Sequence, residues 1–172
     1  MVTNKAIFFD RDGVLIDAPI VKGLPKSVKL LSQVKICKGI EKFCKFYKKK
    51  YFLIMVTNQP DFSRKKNTKK NINEINNYLK KKFKLDCLYT CFCADNKCKN
   101  RKPNPGMILK GQKKFKLDLS KSYVIGDRWK DIGAGKKAKC KTILIDKNYN
   151  EEMKFKPNFK VKNLKKIYNI IK

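Results

Sequence analysis

Two carboxylates one residue apart follow a short apolar run near the start of the chain. The run Ala6 to Phe9 is typical of a buried strand, and Asp10, Asp12 and Gly13 come directly after it. Because residues i and i+2 of a strand point the same way, Asp10 and Asp12 converge where the strand ends, and Gly13 lets the chain turn away. Like charges this close need a cation or a shared proton. A hard, oxygen-seeking ion such as Mg²⁺ fits best, because the chain contains no histidine.

Polar residues follow other apolar runs in the same way. Taken alone, the acidic pair is equally compatible with a solvated turn after a strand. However, Thr57 and Asn58 follow the run Tyr51 to Val56, and Asp127 follows the run Ser122 to Ile125. In a parallel sheet, ligands bind outside the carboxyl ends of the strands. These residues are therefore expected to meet at one edge of a sheet.

The elements that would position these residues alternate between strands and helices. Such alternation predicts an α/β fold, a doubly wound (Rossmann-like) parallel sheet with helices on both faces. Residues 1–172 are expected to form a single domain, with residues 14–32 irregular. The predicted strands are 6–9, 51–56, 87–93, 122–125 and 142–145. The predicted helices begin near Gly39, at Asn67 or Thr68, and at Pro105, and one spans 132–139, with an amphipathic tail at 163–172.

The net charge of +30 is extreme. A charge of this size suggests nucleic acid or another polyanion as a partner. However, the lysines occur in almost every segment instead of forming one stripe, which favours a compositional bias and makes nucleic acid the less favoured partner. The four arginines among 44 basic residues lie in or near the motifs described below, and arginine holds oxyanions with a planar fork that lysine lacks. The arginines are Arg11, Arg64, Arg101 and Arg128.

The remaining features of the composition concern location. The chain enters a predicted strand almost at once, which argues against a signal peptide. Its longest apolar run, 51–56, is too short to cross a membrane. Seven cysteines without an export signal are typical of reduced thiols or metal ligands. A cytoplasmic protein without a membrane partner is expected.

Four short motifs, in this order, resemble those of the haloacid dehalogenase superfamily of phosphohydrolases. Within that superfamily, the wider pattern is similar to the heptose bisphosphate phosphatase and histidinol phosphatase branch. The resemblance covers nearly the whole chain, and the joint occurrence of the motifs is far more specific than any one of them. The motifs are Asp10-Arg11-Asp12-Gly13, Thr57-Asn58-Gln59 followed by Pro60-Asp61, Arg101-Lys102-Pro103, and Gly126-Asp127 with Asp131. Only about forty residues separate the first motif from the second, and a similar number separate the second from the third, so no large cap domain is expected.

The resemblance implies roles for the residues of these motifs. Asp10 is expected to attack phosphorus as the nucleophile and to form an aspartyl-phosphate. Asp12 is expected to act as general acid and then as general base. Lys102 would hold the phosphoryl oxygens and Asp10 together, and Thr57 and Asn58 would complete the phosphate-binding cradle.

The resemblance also implies a magnesium site. Mg²⁺ would be held by Asp10, by Asp127 and by the backbone carbonyl of Asp12. For Asp131 two interpretations stay open. It either supports the metal, behind the ligands or through a water molecule, or it is an acidic residue that stabilises a helix N-terminus.

The cysteine-rich loop departs from the pattern of the relatives, which carry Cys-x-His and Cys-x-Cys as a structural zinc site. Here the order is Cys91-x-Cys93 and Cys98-x-Asn100. Structural zinc takes four ligands and asparagine is a poor one, so Cys91, Cys93 and Cys98 are either zinc ligands or free thiols. Cys87 could join them only if its strand bends back.

The substrate is expected to be a small sugar phosphate. By resemblance, the first choice is the 7-phosphate of D-glycero-D-manno-heptose 1,7-bisphosphate, in the carbohydrate metabolism that supplies lipopolysaccharide precursors. Arg64 and Arg101 are the candidates to grip a second phosphate bidentately. Ile16 stands where the relatives commonly carry asparagine, which leaves the substrate open. The alternatives are histidinol phosphate, a nucleic-acid 3′-phosphate that would exploit the basic charge, and a non-enzymatic phosphate-binding module. A monomer is expected.

Overall fold

A six-stranded parallel sheet is the centre of the molecule. The structure, a computed structural model, describes residues 4–172. The sheet has the strand order β5-β4-β1-β6-β7-β8, and β2 and β3 form a separate antiparallel hairpin. The strands are β1 (Ala6–Phe9), β2 (Ile20–Val21), β3 (Leu24–Pro25), β4 (Phe52–Asn58), β5 (Cys87–Cys91), β6 (Tyr123–Gly126), β7 (Lys141–Ile145) and β8 (Phe159–Val161).

Within residues 4–172, four α-helices connect the strands of this sheet. They are α1 (Ile40–Tyr47), α2 (Lys69–Lys82), α3 (Gly106–Phe115) and α4 (Trp129–Lys137), and 3₁₀ turns occur at Leu31–Gln33, Leu119–Lys121 and Leu164–Asn169. The Thr68 hydroxyl caps α2 by accepting a hydrogen bond from the backbone N–H of Asn71, as the residue types at that position predict. The predicted doubly wound α/β fold is confirmed.

Strand β1 lies between two hydrophobic cores. Ile7 and Phe9 pack with the apolar faces of α1 and α2, whereas Ala6 and Phe8 pack with those of α3 and α4. All four residues have no exposed surface, because alternate side chains of a central strand bury into opposite faces. Burying an aliphatic or aromatic side chain of this kind contributes about 1.5–3 kcal/mol. The strand that ends at Asp10 is therefore firmly fixed.

The order of the strands places a crevice next to β1. The chain runs outward from β1 through β4 to β5, then crosses back to β6 and runs outward through β7 to β8. Loops leave the carboxyl ends of β1 and β6 in opposite directions at such a point, and ligands bind between them. Asp10 follows β1 and Asp127 follows β6, so both stand at this crevice.

Several boundaries differ from those that the sequence predicts. Strand β4 continues to Asn58, because Thr57 and Asn58 pair in parallel register with Thr90 and Cys91 of β5. The β2–β3 hairpin lies within a segment predicted to be irregular. The predicted fifth strand is followed by a sixth, β8, whose Phe159 is exposed, so it lacks the apolar run that signals a strand. The predicted strand 87–93 ends at Cys91, where the cysteine-rich loop begins.

Neither interval between the first three motifs contains a domain-sized insertion. Within residues 4–172, the first interval holds the hairpin and α1, and the second holds α2 and β5. The expected absence of a large cap agrees with this architecture. None of the helices in the same residues combines the length and apolar character that a membrane span requires.

Candidate active site

The Lys102 ammonium is the centre of the polar cluster at the crevice. Its Nζ donates to Asp10 Oδ1 at 2.7 Å and to the Val56 carbonyl at 2.8 Å, and lies 2.6 Å from Asp131 Oδ1. Lys102 is 2% exposed. Burial disfavours its charge, but the two carboxylates outweigh that effect and raise the pKa of Lys102. The lysine is therefore a fixed cation with an acceptor for each of its three protons.

Asn58 holds the backbone of Lys102 in place from the end of β4. Its Nδ2 donates to the Lys102 carbonyl at 3.0 Å, and its Oδ1 accepts from the Lys102 N–H at 3.1 Å. This reciprocal pair joins the second and third motifs directly. The structure thus gives Asn58 a positioning contact, and its expected part in the phosphate cradle stays a prediction.

Three carboxylates gather beside the lysine. One oxygen each from Asp10, Asp127 and Asp131 lies within 4.8 Å of the others. Burial raises the pKa of Asp10 from 3.8 to about 6, with Lys102 opposing the rise and Asp131 and Asp12 adding to it. Burial, with Asp10 and Asp131, also raises the pKa of Asp127 well above its usual range. The negative charge in this cluster exceeds what one ammonium can balance.

A hard divalent cation fits this cluster. Within residues 4–172, Asp127 Oδ1 is buried and has no hydrogen-bond partner, although buried polar atoms are normally paired. Carboxylate oxygens are the ligands that Mg²⁺ prefers. The predicted magnesium ligands Asp10 and Asp127 are therefore brought together, with Asp131 beside them.

Gly13 makes room for the Asp127 carboxylate. A Cβ atom at Gly13 would lie 1.9 Å from Asp127 Oδ2, far inside van der Waals contact. Gly13 also has a φ of +92°, a region that favours glycine. The turn after the first motif therefore depends on glycine for two separate reasons.

Asp131 makes the helix contact that the sequence allowed, and it also makes a contact with Lys102 that the sequence did not indicate. Its Oδ2 accepts from the Arg128 N–H at 3.1 Å and caps the start of α4, while its Oδ1 contacts the Lys102 ammonium. An acidic residue in the first turn also interacts favourably with the helix dipole. Asp131 thus ties α4 to the lysine, and its role toward a metal stays a prediction.

Four donors surround the Asp12 carboxylate. Arg11 Nε and Nη2 lie 3.0 Å and 3.3 Å from its two oxygens, and Gln59 Nε2 donates to Oδ2 at 2.9 Å. The Val28 N–H donates to Oδ1 at 3.0 Å. Arg11 is fully buried and also reaches Asn76 Oδ1 at 3.1 Å. The expected general acid is therefore held in one orientation by a buried network.

The second motif lies deeper than the sequence suggests. Thr57 is 1% exposed, because β4 continues past it, and its hydroxyl accepts from Gln59 Nε2 at 2.9 Å. The sequence predicts a Thr57 hydroxyl exposed at the tip of the strand, because Pro60 cannot extend the strand, and this prediction is wrong. Sequence reasoning gave no role to Gln59, which contacts both Thr57 and Asp12. The i, i+2 spacing of Thr57 and Gln59 in an extended segment is the signal that could have identified it.

Tyr149 is a second residue that the sequence did not identify. Its hydroxyl donates to Asp127 Oδ2 at 2.7 Å. Burial and the negative charge of Asp127 raise the pKa of Tyr149, so the hydroxyl keeps its proton and stays a donor. The loop after Ile145 leaves the carboxyl end of β7, and this position could have indicated a contribution to the site.

Arg101 and Arg64 differ in how firmly they are held. Arg101 is 5% exposed, and it donates from Nη1 to the Cys93 carbonyl at 2.8 Å and from Nε to Asn96 Oδ1 at 3.2 Å. Arg64 is exposed. Burial lowers the pKa of Arg101, and the positive charge of Arg64 adds to this effect.

The three cysteines of the loop after β5 come together. One sulfur each from Cys91, Cys93 and Cys98 lies within 4.8 Å of the others. Cys91 and Cys98 are 3.7 Å apart, close to the sulfur separation of about 3.8 Å in a tetrahedron with 2.3 Å zinc–sulfur bonds. Cys93 and Cys98 are 2.8 Å apart. Cys87 lies outside the group at the opposite end of β5, so the strand does not bend back to supply it.

Comparison with known proteins agrees with this geometry. The Hydrolase_like family model, described as HAD-hydrolase-like, matches residues 99–167. A D-glycero-alpha-D-manno-heptose-1,7-bisphosphate 7-phosphatase from Campylobacter jejuni is 34% identical over 98% of this chain and 96% of its own length. A D-glycero-beta-D-manno-heptose-1,7-bisphosphate 7-phosphatase from Helicobacter pylori is 36% identical over 84% of this chain and 85% of its own length.

A solved structure supports the fold. D,D-heptose 1,7-bisphosphate phosphatase from B. bronchiseptica, complexed with magnesium and phosphate, matches with a TM-score of 0.70 and 24% identity. The match covers 81% of this chain and 79% of that chain. The family follows from the two relatives, which are 34% and 36% identical and aligned over most of their length. The chain belongs to the D-glycero-D-manno-heptose-1,7-bisphosphate 7-phosphatase family of haloacid dehalogenase-like hydrolases.

Proposed function

We propose that residues 1–172 act as a single Mg²⁺-dependent phosphomonoesterase domain that removes the 7-phosphate of D-glycero-D-manno-heptose 1,7-bisphosphate. The observation that carries the proposal is the cluster of Asp10, Lys102, Asp127 and Asp131 at the carboxyl ends of the strands. The names of the relatives supply the substrate class. Those names differ in the anomer, alpha in one and beta in the other, so the anomer is left to experiment.

Asp10 is the nucleophile of the first step. Within residues 4–172, the hydrogen bonds to its side chain, from the Arg11 N–H and from Lys102 Nζ, both end on Oδ1. Oδ2 therefore attacks phosphorus, and the bond from phosphorus to the sugar oxygen breaks. Asp12 gives its proton to the departing oxygen, and an aspartyl-phosphate forms on Asp10.

The second step regenerates the free carboxylate. A water molecule attacks phosphorus from the side opposite Asp10, and Asp12 takes a proton from that water. The bond between Asp10 and phosphorus then breaks, which releases inorganic phosphate. Arg11 and Gln59 keep Asp12 in one orientation through both steps. The Lys102 ammonium stabilises the charge on the phosphoryl oxygens.

Asp10, Asp127 and the backbone carbonyl of Asp12 would hold the magnesium ion, with Asp131 beside them. When bound, the ion offsets the repulsion between the anionic nucleophile and the anionic phosphate. The buried Oδ1 of Asp127, beside Asp10 and unpartnered within residues 4–172, is the reason to expect it, because carboxylate oxygens are the ligands that Mg²⁺ prefers.

The second phosphate of the substrate would lie between Arg64 and Arg101. Arg101 has a fixed position through its bonds to the cysteine-rich loop, whereas Arg64 is exposed on the neighbouring loop. Guanidinium groups bind phosphate bidentately and so suit this task. The substrate-binding roles of Thr57 and Asn58 complete the proposal.

Zinc at Cys91, Cys93 and Cys98 is a separate part of the proposal. The three sulfurs would supply three of the four ligands of a tetrahedral ion, with the fourth supplied from outside the chain. The ion would stiffen the loop whose Cys93 carbonyl holds Arg101. Zinc analysis of protein purified without chelators, beside the Cys98→Ser variant, tests this assignment. About one equivalent that the variant loses supports zinc, and its absence from both favours free thiols.

The central test is phosphate release with Mg²⁺ from four compounds. These are the two anomers of the heptose bisphosphate, histidinol phosphate and a 3′-phosphorylated oligonucleotide, each with wild type and Asp10→Asn. Strong preference for one heptose anomer, abolished by Asp10→Asn and by EDTA, supports the proposal. A preference for histidinol phosphate would replace the substrate and keep the chemistry.

Two further outcomes would overturn the proposal. Cleavage of the oligonucleotide that falls steeply with salt would give the net charge of +30 a function, because phosphate-backbone binding is strongly salt-dependent. Binding of the heptose bisphosphate without any phosphate release, by protein with bound Mg²⁺, would indicate a phosphate-binding module. The monomeric state and the cytoplasmic location stay predictions.

A further inference from the structure

The loop that follows β7 closes over the Asp127 side of the site. Tyr149 lies in this loop and donates its hydroxyl proton to Asp127 Oδ2 at 2.7 Å. None of the four sequence motifs includes the loop, and no step of the proposed reaction uses Tyr149. A tyrosine bonded to a buried carboxylate of the metal cluster therefore needs its own explanation.

Three contacts hold this loop in place around Tyr149. The Asn150 N–H donates to the Gly23 carbonyl at 2.9 Å, which joins the loop to the β2–β3 hairpin. Glu151 accepts from Arg128 Nε at 2.9 Å and also from Arg128 Nη2. Arg128 directly follows Asp127, so the loop is fixed to the same chain segment that supplies the carboxylate.

An aromatic contact completes the attachment. Phe155 stacks on Trp129 with ring centroids 6.2 Å apart and an interplanar angle of 19°. Trp129 is the first residue of α4, two positions after Asp127. The tyrosine hydroxyl is thus delivered by a segment that is bound at several points directly after Tyr149, and not by a free side chain at the surface.

The two oxygens of Asp127 have different surroundings. Oδ2 is occupied by the Tyr149 hydroxyl and lies against the backbone of Gly13, where a Cβ would be 1.9 Å away. Oδ1 is buried and has no partner within residues 4–172. A carboxylate with one oxygen held by a hydrogen bond presents its other oxygen, unpartnered in the described part of the chain, to a cation. Groups that orient metal ligands in this way change metal affinity substantially.

We propose that Tyr149 is a positioning residue for the metal site, because its hydroxyl holds Asp127 Oδ2 and leaves Oδ1 to bind the divalent cation. This inference rests on the proposed function, which supplies the magnesium site. Loss of the hydroxyl frees the Asp127 carboxylate to rotate away from the position that presents Oδ1 to the cation. Magnesium affinity then falls, whereas the affinity for phosphorylated substrate at saturating Mg²⁺ stays unchanged.

The test compares Tyr149→Phe with wild type and with Tyr51→Phe. The control also removes a hydroxyl that makes one hydrogen bond, to the Lys172 carbonyl at 2.8 Å. Tyr51 directly precedes β4, so this hydroxyl lies at the amino ends of the strands, away from the site. Magnesium binding is measured by calorimetry without substrate, and circular dichroism checks folding. Tyr149→Phe is expected to weaken binding about 10-fold or more, within the range of about 10–100-fold for such contacts. Tyr51→Phe is expected to leave it within about twofold.

Activity adds a second readout. If Tyr149 acts only through Asp127, the kcat of Tyr149→Phe recovers to near the wild-type value at high Mg²⁺, with KM for the heptose bisphosphate unchanged. Equal magnesium affinity in both variants and wild type would overturn the inference. A raised KM with unchanged magnesium affinity would also overturn it and would make Tyr149 a substrate contact. Failure of wild type itself to bind Mg²⁺ would instead contradict the proposed function.

Discussion

Replacing Lys102 with methionine should test the charge balance of the site. The substitution keeps an unbranched apolar stem and removes the ammonium that contacts Asp10 and Asp131. The side chains of these carboxylates are only 13% and 3% exposed, so water cannot take over the role of the ammonium. Breaking a buried ion pair by removing one partner costs about 3–5 kcal/mol. For a domain of this size, that corresponds to a fall in Tm of about 6–20 °C.

The size of this loss should depend on pH. Lys102 lowers the pKa of Asp10, which burial nonetheless raises from 3.8 to about 6. Without the ammonium, the pKa of Asp10 in the folded state rises further. A raised pKa of a carboxyl group in the folded state lowers the free energy of unfolding of the protein as pH increases through that pKa. The destabilisation of Lys102→Met should therefore be larger at pH 8 than at pH 5. Added Mg²⁺ should offset part of it at pH 8.

Thermal and urea denaturation in EDTA at pH 5 and pH 8 would measure both effects. Lys110→Met, on the exposed side of α3, is the control for loss of one lysine. The double variant Lys102→Met/Asp131→Asn should recover part of the lost stability, because one uncompensated carboxylate is removed. A Lys102→Met variant as stable as Lys110→Met at pH 8, or a loss that does not change with pH, would refute the reasoning.

Three further predictions concern the same crevice. Asp10→Asn should remove the fall in stability of about 3 kcal/mol that the raised pKa of Asp10 causes between about pH 4 and pH 6, because an amide does not titrate. Urea titrations in EDTA at each pH should give a flatter profile than wild type, and an unchanged profile would contradict this. Gly13→Ala should abolish Mg²⁺ binding measured by calorimetry, whereas Gly39→Ala, with a similar φ but no atom within 4 Å of the new Cβ, should retain it. Equal binding by both variants would show that a Cβ at Gly13 does not displace the Asp127 carboxylate. Asn58→Ala should lower Tm and reduce kcat about 10-fold, because two hydrogen bonds to the backbone of Lys102 are lost. An unchanged kcat would contradict this prediction.

Much of the framework could be predicted because buried parallel strands leave a strong signal. The run 6–9 is apolar throughout, and the structure confirms a strand with these bounds. Ile40, Phe43, Cys44 and Tyr47 have helical spacing and are the buried residues of α1. The β8 strand and the β2–β3 hairpin escaped prediction because short, partly exposed strands depend on their neighbours more than on their own residues.

The site was predictable only in part for a related reason. Asp10, Lys102 and Asp127 occur in motifs at the ends of strands, so their meeting follows from the topology. The partners that hold them do not follow in this way. Tyr149 reaches Asp127 across a loop rich in lysine and asparagine, and no periodic pattern marks such a residue. Asn58 belongs to a motif, but its bonds to Lys102 span 44 positions and depend on the folded geometry.

Locating the phosphoryl group during turnover would show whether Asp10 is the nucleophile. Wild-type protein, mixed with the heptose bisphosphate and Mg²⁺ and quenched in acid within one turnover, would be digested and analysed by mass spectrometry. One phosphoryl group is expected on Asp10, absent when Mg²⁺ is omitted and absent from Asp10→Asn. Phosphate release with no phosphorylated peptide, or phosphorylation of any other residue, would contradict the assignment of Asp10 as the nucleophile.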